Sequence, residues 1–145
     1  MSAADPFLAL PLAGTRLIEA SAGTGKTFTL ATLVTRLVVE RRLRIGQVLA
    51  VTFTEAATQE LRKRIRERLA LAARLVDAPP AEGESPDATL SRALIAAHLA
   101  AGGETPAQLR QRLQLAADAI AQVWQVACTP VPAPDGVLQY LFSSD

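Results

Sequence analysis

Lys26 and Thr27 close a short run, Ala20-Ser21-Ala22-Gly23-Thr24-Gly25-Lys26-Thr27, whose residue types and spacing suit holding a polyphosphate. Gly23 and Gly25 let the backbone bend until successive N–H groups converge on an anion. Lys26 brings a mobile positive charge for the β- and γ-phosphates, and the Thr27 hydroxyl is available to Mg²⁺. Ala20 stands where the phosphate-loop pattern has its first glycine. These eight residues are the expected nucleotide site. ATP and Mg²⁺ are the expected cofactors, with Thr27 as the metal ligand.

The neighbouring elements must present that loop. Arg16 to Ala20 (RLIEA) reads as a short strand. Leu30, Leu33, Val34, Leu37 and Val38 recur at helical spacing and predict a helix from about Lys26 to Arg41. Strand, loop, helix is the order that turns a helix's unpaired N-terminal N–H groups and positive dipole end toward the phosphates. Arg42 to Gly46 makes the return. Gln47 to Phe53 (QVLAVTF) is a near-continuous apolar run, as a strand buried on both faces of a parallel sheet reads. Together these segments predict a right-handed βαβ unit.

A second constellation, Val51-Thr52-Phe53-Thr54-Glu55-Ala56-Ala57, falls where that second strand meets its helix. Ligands of open α/β sheets bind at the carboxyl ends of strands. Phe53 offers a ring on which a base can stack, and Thr54 with nearby N–H groups offers a phosphate contact. Thr52, Phe53 and Thr54 are therefore the expected DNA-binding residues. Thr54 is also the expected helix cap, followed by Glu55 in the first turn. Leu61, Ile65, Leu69 and Ala72 mark the buried stripe of this helix. Arg62, Lys63, Arg64, Arg66 and Arg68 concentrate positive charge on it. Glu60–Arg64 and Lys63–Glu67 stand at i,i+4, so the charges read as a solvated, salt-bridged face.

Residues 1–75 thus form one unit, and 76–87 a linker, in which Asp77 to Asp87 (DAPPAEGESPD) carries three prolines, a glycine and four acids. Residues 88–127 read as a helical insertion. Thr89 to Ala101 predicts an alanine-rich helix stopped by Gly102-Gly103. Thr105-Pro106-Ala107-Gln108 is a capping box with proline in the first turn. Beyond it Leu109, Leu113, Ala116, Ile120 and Val123 or Trp124 line one face of a long helix, which reads as core. The tail, 128–145, diverges in character: Pro130, Pro132 and Pro134 alternate with small residues, and Val137 to Phe142 reads either as a strand or as a frayed apolar end.

Composition narrows the class. The 145 residues are 50% hydrophobic and only 4% aromatic, with a net charge of +1, so the whole chain is not a strongly basic nucleic-acid binder. One cysteine, Cys128, excludes an internal disulfide framework and suits a reducing, cytoplasmic setting; it reads as an ordinary buried or tail thiol. The N-terminal MSAADPFLALPLAG lacks a basic region ahead of its apolar residues and makes a poor signal peptide. No apolar run reaches membrane-spanning length. His98, the single histidine, has no ligand partners around it in sequence and is expected on the surface of its helix.

LIEASAGTGKTFTL and VTFTEAATQELRKRI together resemble the Walker A region and motif Ia of the UvrD/Rep-type superfamily-one DNA helicases, and more closely those of their RecB-like branch. The leading DPFLALPLAGTRL is similar to the start of such chains. The absence of glutamine from residues 1–19 matches a branch that dispenses with an adenine-reading Gln. The likeness covers residues 5 to about 75 strongly and 88–120 loosely. It implies an α/β fold of the P-loop NTPase (RecA-like) type, with a partial parallel sheet followed by a helical insertion. It also implies ATP-driven 3′-to-5′ translocation on DNA, single-stranded or at a duplex end, in double-strand break repair and recombination. The implied partners are the other subunits of a RecBCD-like complex.

This stretch would be an N-terminal fragment of such a helicase and exonuclease. Hydrolysis needs an acidic pair at another strand end to hold Mg²⁺ and activate water, and no Asp-Glu pair occurs here. No catalytic residue is therefore assigned. After the long helix the likeness ends at Gln125, as it would after a frameshift or a premature stop. Two other functions suit the residues. One is a small stand-alone P-loop phosphotransferase using Glu19 or Glu55 as its acid. The other is a non-enzymatic module whose helical half docks on a partner.

Overall fold

Long periodic runs of alanine and leucine carry most of the described residues into helix. The computed structural model describes residues 12, 15–19, 26–48, 50–51, 55–122, 126–127 and 139–143. Four helices dominate: α1 (Lys26–Glu40), α2 (Glu55–Leu75), α3 (Pro86–Ala101) and α4 (Pro106–Gln122). A 3-10 turn, Ile45–Gln47, follows α1. The strands are short: β1 (Thr15–Glu19), β2 (Ala50–Val51), β3 (Val126–Ala127) and β4 (Gln139–Ser143).

Helix α1 occupies the middle of the body. Residues 31–39 are all buried, the polar Thr32, Thr35 and Arg36 included. The threonines tolerate this because each hydroxyl donates one turn back, Thr32 to the Phe28 carbonyl at 2.9 Å and Thr35 to the Ala31 carbonyl at 2.8 Å. Arg36 reaches Glu40 at 2.6 Å. Around α1 the expected stripe of α2 (Leu61, Ile65, Leu69, Ala72) and the expected stripe of α4 (Leu109, Leu113, Ala116, Ile120) are buried in one core with Leu94 and Ile95 of α3. The α2–α4 seam is the most extensive helix contact. Each stripe follows the i, i+3/i+4 rule that brings apolar side chains to one face.

Local signals set the helix ends. Ser85 caps α3, its Oγ accepting from the Ala88 N–H at 3.2 Å, with Pro86 in the first helical position. The helix thus begins three residues ahead of the expected Thr89. Gly102 ends it at φ 82°, a conformation that costs residues with a Cβ. The capping box of α4 forms as its sequence predicts: the Gln108 N–H donates to Thr105 Oγ1 at 3.2 Å, and the Thr105 N–H to Gln108 Oε1 at 3.0 Å. Replacing Thr105 by Ala is expected to destabilise the protein by about 1 kcal/mol. The check is a lower urea midpoint at unchanged slope.

Arg92 gathers several groups of the segment before α3. Arg92 donates through Nε to both carboxylate oxygens of Glu84 at 2.8 Å, and through Nη1 and Nη2 to the Ala78 and Pro79 carbonyls at 2.7 Å. The Arg92 hydrogen bond and the Ala81 N–H hold the Glu84 carboxyl below the usual range.

The expected α/β architecture, a P-loop (RecA-like) partial parallel sheet, needs correcting. Among the described residues, strand backbone falls in two separate two-stranded ladders. Thr15–Glu19 pairs in parallel with Gln139–Ser143, and Ala50–Val51 with Val126–Ala127. Among the described residues nothing joins the ladders, so the two strands of the expected βαβ unit do not share a sheet. Of the expected strand of Gln47–Phe53, Gln47 belongs to the 3-10 turn and Ala50–Val51 are strand, while residues 49, 52 and 53 lie outside the described residues. A two-stranded ladder has little independent stability and cannot form a layer that helices cover. The helices instead bury their apolar faces on one another, and the resulting body is helical.

Candidate phosphate-binding site

β1 ends at Glu19 and α1 begins at Lys26, so the loop lies between a strand end and a helix start, in the order its chemistry requires. Ala20 to Gly25 lie outside the described residues. Lys26 and Thr27 are the first two residues of a 15-residue helix. The first four N–H groups of any α-helix lack intrahelical acceptors and carry the positive end of its dipole. Thr52, Phe53 and Thr54 lie outside the described residues, between the end of β2 and the start of α2. Glu19 is the last residue of β1 and Glu55 the first of α2. Among the described residues no three His, Cys, Asp or Glu side chains cluster to hold a metal.

Arg68 stands against the first turn of α1. Its guanidinium carbon is 5.0 Å from the ring centroid of Phe28, within cation–π range. The side chain is 3% exposed, and Nε and Nη1 have no hydrogen-bond partner. Asp87 Oδ1 lies 3.8 Å from Nη1, an ion-pair distance too long for a hydrogen bond. Burial pushes the Arg68 pKa down, and the Asp87 charge opposes it. Arg68 is thus a buried cation held between the Phe28 ring and a loosely placed, partly exposed Asp87.

Arg68 corrects one expectation. The charges of α2 do not form one solvated face. Glu60–Arg64 forms at 2.8 Å on the exposed side, as spacing predicts. Lys63–Glu67 is not among the ion pairs of the described residues. Arg62 donates through Nη2 to the Ile120 carbonyl of α4 at 3.4 Å. Arg68 turns inward. Its position was readable: it lies three residues after Ile65 and next to Leu69, on the buried stripe.

His98 also departs from expectation. Its side chain is 11% exposed, with Nε2 2.8 Å from Glu104 Oε1. Glu104 sits in a bidentate pair with Arg112, Nε to Oε2 at 2.6 Å and Nη2 to Oε1 at 2.7 Å. The same Arg112 donates to the carbonyls of Val38 and Val39 in the last turn of α1. Arg42 reaches the Gly103 carbonyl at 3.1 Å. This cluster closes the C-terminal end of the helix whose N-terminal end carries Lys26. Elsewhere, a shallow groove of about 270 Å³ runs between α2 and α4, lined by residues of both charges (Arg66, Glu67, Arg74 and Asp118 among them).

Residues 5–116 match the UvrD/REP helicase N-terminal domain, and the chain belongs to that family. Within it, the chain is similar to the RecBCD enzyme subunit RecB of Escherichia coli (strain K12), 58% identical over 73 residues, which covers 45% of this chain and 6% of that protein. It is also similar to RecBCD enzyme subunit RecB of Mycobacterium tuberculosis (strain ATCC 25618 / H37Rv), 43% identical over 109 residues, or 72% of this chain and 9% of that protein. With the subunit of the same name from Haemophilus influenzae it shares 51% identity over 69 residues, 43% of this chain and 6% of that protein. The chain therefore spans less than a tenth of the length of these relatives. No helix among the described residues is long and apolar enough to cross a membrane.

Proposed function

We propose that this chain is the nucleotide-binding N-terminal part of a RecB-like DNA helicase, cytoplasmic, acting on DNA in double-strand break repair and recombination beside other subunits of a RecBCD-like complex. The observation that carries the reading is the placement of Lys26 and Thr27 as the opening residues of α1, separated from the end of β1 by six residues, in a chain of the UvrD/REP family. The backbone of residues 20–25 and the first turn of α1 surround the phosphates. Lys26 holds the β- and γ-phosphate charge, and the Thr27 hydroxyl contributes to the Mg²⁺ that accompanies ATP. When bound, ATP supplies the free energy that drives translocation in such machines. Thr52, Phe53 and Thr54 contact single-stranded DNA, Phe53 by stacking and the threonines at phosphate.

The proposal includes binding without turnover, because the chain carries no Asp-Glu pair to hold Mg²⁺ and orient water. Lys26→Ala is expected to weaken affinity for a fluorescent ADP or ATP analogue by roughly 10- to 100-fold, the worth of a charge-assisted contact of about 1.5–3 kcal/mol. Its denaturation midpoint should stay within the range of a surface change. Equal affinity in the two proteins would overturn the nucleotide reading.

A further inference from the structure

Arg41, Arg42 and Arg44 stand together in the turn that follows α1, and all three are exposed. Among the described residues none of them belongs to an ion pair. The glutamates at this end of α1 are already engaged, Glu40 with Arg36 at 2.6 Å and Glu104 with Arg112 at 2.6 Å and His98 at 2.8 Å. Basic residues after a helix commonly serve its negative dipole end. Here Arg112 does so, through the Val38 and Val39 carbonyls. The three arginines are a surplus, and it exceeds the net charge of the whole chain, +1.

Arg42 keeps its place at a cost. The Leu43 N–H donates to the Leu37 carbonyl at 3.2 Å, a Schellman-type closure of α1, and Arg42 lies within it at φ 54°. Glycine is the usual residue there, and among the described residues Arg42 is the one non-glycine with positive φ. A residue held in such a conformation points to what its side chain does. Arg42 Nη2 donates to the Gly103 carbonyl at 3.1 Å, and Arg41 Nη1 to the Leu12 carbonyl at 3.0 Å. A guanidinium has five N–H donors, so these bonds anchor both side chains and leave most of their donors for a ligand.

We propose that Arg41, Arg42 and Arg44 form a contact for the phosphodiester backbone of DNA at the C-terminal end of α1. Arginine forks match phosphate oxygens in charge and shape. A protein partner would call for an apolar anchor at the centre of the contact. The turn offers none, since Leu43 is half-buried and Ile45 buried. It contains no aromatic residue either, which suits backbone contact without base stacking. Arg41 and Arg44 Cα atoms lie within about 11 Å of each other, and a duplex carries a charge every ~1.7 Å of axis, so one stretch of backbone reaches all three. The inference shares its ligand with the reading above but uses neither the phosphate loop nor residues 52–54.

The test uses the full chain, with a fluorescent 20-base-pair duplex of mixed sequence and a single strand of equal length as probes, titrated at several salt concentrations. Three lost phosphate contacts should flatten the slope of log K against log salt by about 2.7 for the duplex. Raising salt from about 50 to about 200 mM should therefore cost the wild type roughly 40-fold more affinity than it costs Arg41→Gln/Arg42→Gly/Arg44→Gln. The glycine preserves the turn at residue 42. Arg64→Gln/Arg74→Gln/Arg110→Gln removes the same charge from other exposed positions and should change the slope by less than half as much.

Equal changes in the two triple variants overturn the assignment, because bulk charge would then explain the binding. A loss confined to the single strand overturns it too, as does poly-glutamate competing as well as DNA. Should the first triple variant fail to fold, Arg44→Gln alone decides: its slope should flatten by about 0.9, and an unchanged slope overturns the proposal. Failure of the wild-type chain to bind either DNA overturns this contact together with that at residues 52–54. The nucleotide reading stands or falls separately, on the Lys26→Ala comparison.

Discussion

Replacing Leu69 by Ala is expected to destabilise the protein by about 3–5 kcal/mol, enough to unfold a large fraction of a domain of ordinary stability. Leu69 is fully buried on α2, the helix that packs most extensively against the other three. Removing its branched end takes dispersion contacts from a helical core that has no complete sheet layer behind it to collapse into the gap. The magnitude should lie at the upper end of the usual range for that reason. Leu115→Ala is the matched control: the same chemistry on α4, at a side chain 60% exposed, should change stability by less than about 0.5 kcal/mol. Urea unfolding of the two variants at equal slope checks both values. A Leu69→Ala loss no larger than that of Leu115→Ala would mean that the helices do not form one core.

The same comparison shows what pattern alone reveals. The stripes at Leu61, Ile65, Leu69 and Ala72, and at Leu109, Leu113, Ala116 and Ile120, are periodic, and periodicity reports the buried face of a helix directly. The cap at Thr105 and the stop at Gly102 are equally local, since each is written within a few residues of the bond it makes. The sheet was misread because an apolar run such as Gln47 to Phe53 records burial without recording partners. Strand pairing joins residues far apart in sequence, here Ala50 with Val126, and no local signal specifies it. A run that suits a parallel-sheet strand also suits a short segment lying on helices.

The candidate site divides along the same line. The start of α1 at Lys26 was legible because a helix start is a local event. Arg68 and His98 were misplaced because their environments are made by other elements, Phe28 of α1 for one and Glu104 beyond the turn for the other. A charged residue at a stripe position carries a weak sign of burial. A histidine six residues from a glutamate carries almost none.

Acid is expected to weaken this protein through Glu104. The Arg112 hydrogen bond, with His98 adding to it, outweighs burial and brings the Glu104 pKa from 4.5 down to about 2. The side chain is 5% exposed, so solvent screens the pair little. A carboxylate that resists protonation when folded stabilises the fold wherever the unfolded chain would bind the proton more readily. The contribution is complete above about pH 4.5, falls as the pH drops below that, and is gone below about pH 2. Its size is about 3 kcal/mol. Glu104→Gln should therefore show a flatter stability profile between those limits than the wild type, together with lower stability at pH 7. Arg112→Met should be worse than Glu104→Gln at pH 7, by about 1 kcal/mol or more. It strands a buried carboxylate and also frees the Val38 and Val39 carbonyls that close α1, whereas the charge Glu104→Gln leaves behind is the Arg112 guanidinium, which is more exposed and keeps those two carbonyl acceptors. Urea midpoints recorded from pH 2 to pH 7 distinguish the outcomes: parallel profiles for wild type and Glu104→Gln would mean that another carboxylate governs acid unfolding. Because Arg112 holds the last turn of the helix that opens with Lys26, loss of this cluster should loosen the end of α1 remote from the phosphates first. Hydrogen exchange in Arg112→Met should accordingly rise at Val38 and Val39 before it rises at Thr32.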